Sequence, residues 1–209
     1  SDCLVGSEMC IRDSLKWKEQ KYFLELVVHA MKQSLNVGRS EKRRLHRDAI
    51  FTNAACALLG LLGVLKDATF KKDAKAAVVN ALLPCAKILL EEGVAEPQYV
   101  RASAEVAAGV CDFGGENIAK SLVKSLCQEQ VGGQAPDSVK GLVLWLGAIG
   151  RSLGGISLTG LQDGMVKKLQ QIVGSGIDEA AQVWLLHSYW LIATASGPAF
   201  IQHVSQMLN

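Results

Sequence analysis

The sequence is short of the features from which active sites are usually read. It has four histidines, His29, His46, His187 and His203, and they stand far apart. No H-E-x-x-H motif or His/Cys cluster brings any of them to metal-ligand spacing. The G-x-S-x-G pattern of a nucleophile elbow is missing. "GAIGRSLGG" is glycine-rich but lacks the preceding strand and the lysine of a phosphate loop, so it reads as a helix end and a turn. Aromatic residues make up only 6% of the chain. Trp17, Trp145, Trp184 and Trp190 form no series on which bases could stack; Trp184 and the Tyr189-Trp190 pair read as ridge residues packed between helices. No stretch alternates apolar and polar residues long enough for a strand. These absences assign no catalytic residue, no metal and no cofactor, and a non-enzymatic protein is the expectation.

Cysteine needs a subtraction first. "LVGSEMCIRDS", Leu4 to Ser14, has no helical or strand period, and all eleven residues fit the in-frame translation of a sequencing-library adapter. A native N-terminal tail is the competing reading. Setting Ser1–Ser14 aside removes Cys3 and Cys10. It also removes one basic and three acidic side chains, which moves the net charge from +2 to +4. The chain proper then starts near Leu15 and is expected to be a piece of a longer protein. Cys56, Cys85, Cys111 and Cys127 each fall within a helical apolar pattern and read as reduced, buried, small hydrophobes. No secretory signal pattern is visible, and a cytoplasmic location is the expectation.

What is present is helix after helix. Apolar residues recur at helical spacing in Leu24, Val27, Val28, Met31 and Leu35, before Gly38 breaks the pattern, and again from Ile50 to Leu65. Asp73 is a candidate N-cap for a third helix that carries Pro84 inside it and ends at Gly93. Pro97 suits a first helical position. Gly114-Gly115, Gly132-Gly133 and Gly154-Gly155 punctuate the helices that follow. Thr159 and Gln162 match a capping box, Asp178 can cap the next helix, and Gly197-Pro198 breaks and restarts the chain.

Two stretches, Ala49–Leu65 and Ala180–Gln202, lack Asp, Glu, Lys and Arg. Against the roughly 20 apolar residues a membrane span needs, both are short or polar, and they read as helices covered by protein.

Helix pairs start near Gln98, Asp137 and Asp178, a period of about 40 residues that suits HEAT or armadillo arrays. The fold expected is therefore all-α: an α-solenoid of HEAT-like hairpins spanning 15–209. Its repeats are read at about 98–130, 137–173 and 178–209, with less regular helices over 15–93. A compact helical bundle is the architectural alternative.

One run concentrates charge. "GRSEKRRLHR" places Lys42, Arg43, Arg44 and Arg47 ahead of the second helix. It could meet a phosphoinositide headgroup or an acidic partner segment, or be a solvated loop or long connector. His187, in "VWLLHSYW", reads as a hydrogen-bonded core or inter-repeat histidine.

The C-terminal third carries a resemblance. "VWLLHSYWLIATASGPAFIQHVSQML" is similar to a stretch of the HEAT-repeat-containing protein 5 family of large eukaryotic trafficking proteins. It matches at Val183, Trp184, Leu186, His187, Ser188, Leu191, Ile192, Ala193, Ser196, Gly197, Pro198, Phe200 and Val204. "VRASAEVAAGV" and "LWLGAIGRSLGGI" resemble the two preceding repeats, so the likeness covers roughly Glu96 to Asn209. The resemblance implies a scaffold that works with clathrin adaptor complexes and accessory proteins at the trans-Golgi network and endosomes, with peripheral membrane association at most. It carries no catalytic residues over. A nuclear transport receptor or phosphatase-scaffold type of helical-repeat binder is the alternative.

Overall fold

A computed structural model describes residues 17–66, 72–92, 96–128, 136–175 and 177–207. Ser1–Ser14, Gly93 and Gly132-Gly133 lie outside them. The described residues are helical almost throughout and contain no strand. The helices are α1 (Trp17–Ser40), α2 (Arg44–Lys66), α3 (Lys72–Glu92), α4 (Pro97–Gly114), α5 (Glu116–Gln128), α6 (Pro136–Leu153), α7 (Gly155–Gly174), α8 (Glu179–Ser196) and α9 (Ile201–Met207), with a 3-10 turn, Gly197–Phe200, between the last two.

Packing follows chain order. Even-numbered helices lie side by side, α2 on α4, α4 on α6 and α6 on α8, and each packs on the odd-numbered helix that precedes it. The odd-numbered helices contact one another less closely. Extensive contacts among the described residues join helices one or two places apart, with α3 and α6 the single pair at three. The result is two layers with one continuous apolar core between them, from Val28 to Phe200.

The sequence explains how the layers lock. Ser103 on α4 donates a hydrogen bond to the Ala86 carbonyl of α3 at 2.7 Å and accepts one from the Trp145 indole of α6 at 2.9 Å. Three helices therefore meet at one buried hydroxyl. Ser188 on α8 repeats the device, donating to the Val143 carbonyl of α6 at 2.8 Å. Such bonds contribute about 0.5–1.5 kcal/mol each, and they fix register because a buried hydroxyl left unpaired costs more than that. Beside Ser188 the two backbones nearly touch. A Cβ on Gly147 would lie 2.7 Å from the Ser188 Cα, so only glycine fits there. The turn from α6 to α7 uses Gly154 and Gly155 at φ of 56° and 41°, a region that side chains disfavour.

Several local expectations change. α1 runs through Gly38 to Ser40, because Gly38 gives the Phe51 ring of α2 its seat: a Cβ there would meet the ring at 2.9 Å. Asp73 lies inside α3, which starts at Lys72. Thr159 and Gln162 do not cap α7, which already begins at Gly155; Gln162 is buried within it. Asp178 does cap α8, accepting from the Ala181 backbone N–H at 2.6 Å. That bond, and then Lys140, hold its carboxyl below the usual value. Burial raises the Cys85 and Cys127 thiols and pushes Cys111 up to about 12, so these thiols stay protonated and unreactive. Cys56 departs from its expectation and is exposed on α2.

α2 is the one helix among the described residues long and apolar enough to cross a membrane, with 33% of its apolar window buried.

Candidate interaction surface

α6 is the most enclosed helix, with every residue from Gly141 to Gly150 buried. It is recessed between α4 and α8, and a groove of about 280 Å³ opens above it. Leu144 and Ala148 of α6 line it together with Arg101, Ala104 and Glu105 of α4 and His187 and Leu191 of α8. The small residues at Ala104 and Ala148 are what leave the space.

Contacts brace the groove on its rim. The Arg101 guanidinium reaches from α4 to lie over the Trp184 ring of α8, 4.9 Å from its centroid. Glu105 of α4 pairs with Arg151 of α6 at 2.5 Å. The His187 ring stacks on Trp190 at 5.6 Å and meets Trp184 edge-on at 6.5 Å. His187 is thus a half-buried groove residue and not a core histidine, and Trp190 is 60% exposed where a packed ridge was expected.

The residues of the "VWLLHSYW…" stretch divide among five surroundings. Ser188 and Ile192 are buried, with Ser188 bonded to α6, and Trp184 and His187 border the groove. Val183 and Leu186 point outward at 64% and 65% exposure, along with Trp190. Ala193 is half-buried. Ser196 ends α8, Gly197 (φ 57°) and Pro198 open the 3-10 turn, and Phe200 is buried at its end.

The basic run does not line the groove and is neither a long loop nor a long connector, since only residues 41–43 separate α1 from α2. Lys42 and Arg43 are exposed there, Arg43 being 4.0 Å from Glu41. Arg44 pairs with Glu96 at 2.7 Å and Asp48 at 3.8 Å, and Arg47 covers the Phe51 ring at 5.6 Å. Acidic neighbours thus offset the unfavourable placement of positive charge at a helix N-terminus.

Sequence reading missed Arg101, Glu105 and Arg151 as a set. Arg101 and Glu105 do stand four apart on one helix face, a usable signal. Their pairing with α6 and α8 depends on inter-helix register, which spacing along the chain does not carry. Among the described residues no group of three or more His, Cys, Asp or Glu is placed to hold a metal ion.

Comparison of the chain with protein-family models, curated proteins and solved structures finds no match in any of the three.

Proposed function

We propose that the chain is a stretch of a non-enzymatic, HEAT-like α-solenoid scaffold that continues beyond the helices described. The observation that carries this reading is the state of the even-numbered layer at its two ends. α4 and α6 each have an even-numbered neighbour on both sides, whereas α8 has α6 alone and leaves Val183, Leu186 and Trp190 open along one face. α2 likewise exposes an uncharged face of small and apolar residues, including Cys56, Ala57, Gly60 and Val64. Helical repeats cannot bury their faces alone and rely on stacked neighbours. The closer spacing of even-numbered helices supports a curved array with that layer on the inner side.

Trafficking is the biological setting we propose, with clathrin adaptor complexes and their accessory proteins as partners. Its support is the resemblance from Val183 to Phe200. Placement in the cytoplasm, peripheral to trans-Golgi and endosomal membranes, follows from the same reading. The product of the complete reading frame, tagged and purified from its own cells, should carry clathrin adaptor subunits with it. Recovery of a nuclear-transport GTPase or a phosphatase subunit in their place would overturn the trafficking assignment.

A further inference from the structure

We propose that the groove over α6 is a docking site for an extended acidic peptide, seating a carboxylate at Arg101 and a neighbouring aliphatic side chain on the floor. The proposal names the partner chemistry of the scaffold reading and rests on it.

Charge decides the class of occupant. The groove and its rim hold two guanidinium groups, Arg101 and Arg151, and one carboxylate, Glu105. Glu105 is taken by Arg151, which leaves Arg101 as the uncompensated charge. Among the described residues Arg101 has no ion pair; its partner is the face of Trp184.

That partnership prepares the guanidinium for an anion. A guanidinium lying on an indole keeps its N–H donors in its own plane, and the fork they form matches a carboxylate in bidentate fashion. The indole also holds the long side chain in place, so less rotamer freedom is lost on binding. His187 is restrained in the same manner, with one ring face on Trp190. Its edge nitrogens add donor and acceptor capacity beside Arg101.

Shape and polarity set the rest. Ala104, Leu144, Ala148 and Leu191 give the groove an apolar floor. At about 280 Å³ it is close to the lower limit of roughly 300 Å³ for small-molecule sites and suits one or two side chains of a peptide. The Glu105–Arg151 pair is already neutralised and offers no second free cation to a further anion. A single acidic residue next to an aliphatic one therefore fits better than a polyacidic run.

The test uses three probes: the capped peptide acetyl-Ala-Leu-Glu-Leu-Ala-amide, its Gln analogue, and acetate. The readout is the indole N–H resonances of Trp184 and Trp190, with buried Trp145 as an internal reference for an intact fold. The Glu peptide should give saturable shifts at Trp184 and Trp190 that weaken with salt, leaving Trp145 unmoved. The Gln analogue and acetate should each bind at least about tenfold more weakly, which corresponds to roughly 1.4 kcal/mol. Arg101→Gln should lose the binding while keeping the Trp145 signal, and Arg101→Lys should retain part of it. Equal binding of the Gln analogue or of acetate would overturn the proposal, as would absence of shifts at millimolar Glu peptide. Those outcomes leave the solenoid reading intact, since that reading falls on the helix neighbours of α8 and not on peptide binding.

Discussion

α6 and α8 occupy successive places in the same layer, and they differ in how much of each is covered. Ten consecutive residues of α6 are buried, and its small residues are shaped to neighbours on several sides: Gly141 faces Leu90 of α3, Gly147 faces Ser188, and Gly150 meets Ile192. α8 is as apolar as α6, yet its cover stops at Ala181, Leu185, Ser188, Tyr189, Leu191 and Ile192 and leaves Val183, Leu186 and Trp190 open. Burial pushes the Tyr189 hydroxyl up to about 12, while Trp190 next to it stands in solvent. Apolar character thus measures what a helix is built to pack against, and the covered area measures what is present.

The contrast can be broken most forcefully at its enclosed end. Trp145→Ala should destabilise the chain by about 3–5 kcal/mol, the cost of emptying an aromatic site, and it also leaves the Ser103 hydroxyl with one partner fewer. Urea unfolding monitored by circular dichroism measures this. Gly147→Val should cost about 1–3 kcal/mol, because its Cβ meets backbone at Ser188 and the helices must separate. A neutral result there would show that α6 and α8 are held less tightly than the distances require.

At the open end the expected changes are small. Leu186→Gln, at 65% exposure, should alter unfolding stability by no more than about 0.5 kcal/mol while reducing self-association in sedimentation velocity. A loss comparable to that of Gly147→Val would mean that Leu186 already has a covered partner. A pH-dependent effect is expected at the start of α8. Asp178→Ala should lower the melting temperature at neutral pH by removing the bond to Ala181 and the pair with Lys140 at 3.1 Å. Because the folded carboxyl titrates below its unfolded value of about 3.9, its contribution is present above that pH and fades as pH falls through the folded value. Wild type and Asp178→Ala should therefore converge in acid.

How much of this was legible in the sequence depends on which interactions decide each feature. The Asp178 cap, the Gly154-Gly155 turn and the Gly197-Pro198 break were readable, because each is settled within four residues of chain. Gly38 and Gln162 misled for one reason. Both resemble boundary residues locally, and tertiary contact with Phe51 in one case and burial in the other place them inside helices. The groove was out of reach: Arg101, Arg151 and His187 belong to three helices, and only their crossing brings them together. Trp190 reads as a ridge residue packed between helices, yet the described helices leave it 60% exposed, because chain order does not say which apolar side chains find a neighbour.

The outer face of α8 is the helix-packing surface on which the proposed longer array rests. The most direct measurement is an electron cryomicroscopy structure of the product of the complete reading frame. A further helix pair should lie against Val183, Leu186 and Trp190, with the even-numbered layer continuing past α8. A structure in which those three side chains remain in solvent would contradict it.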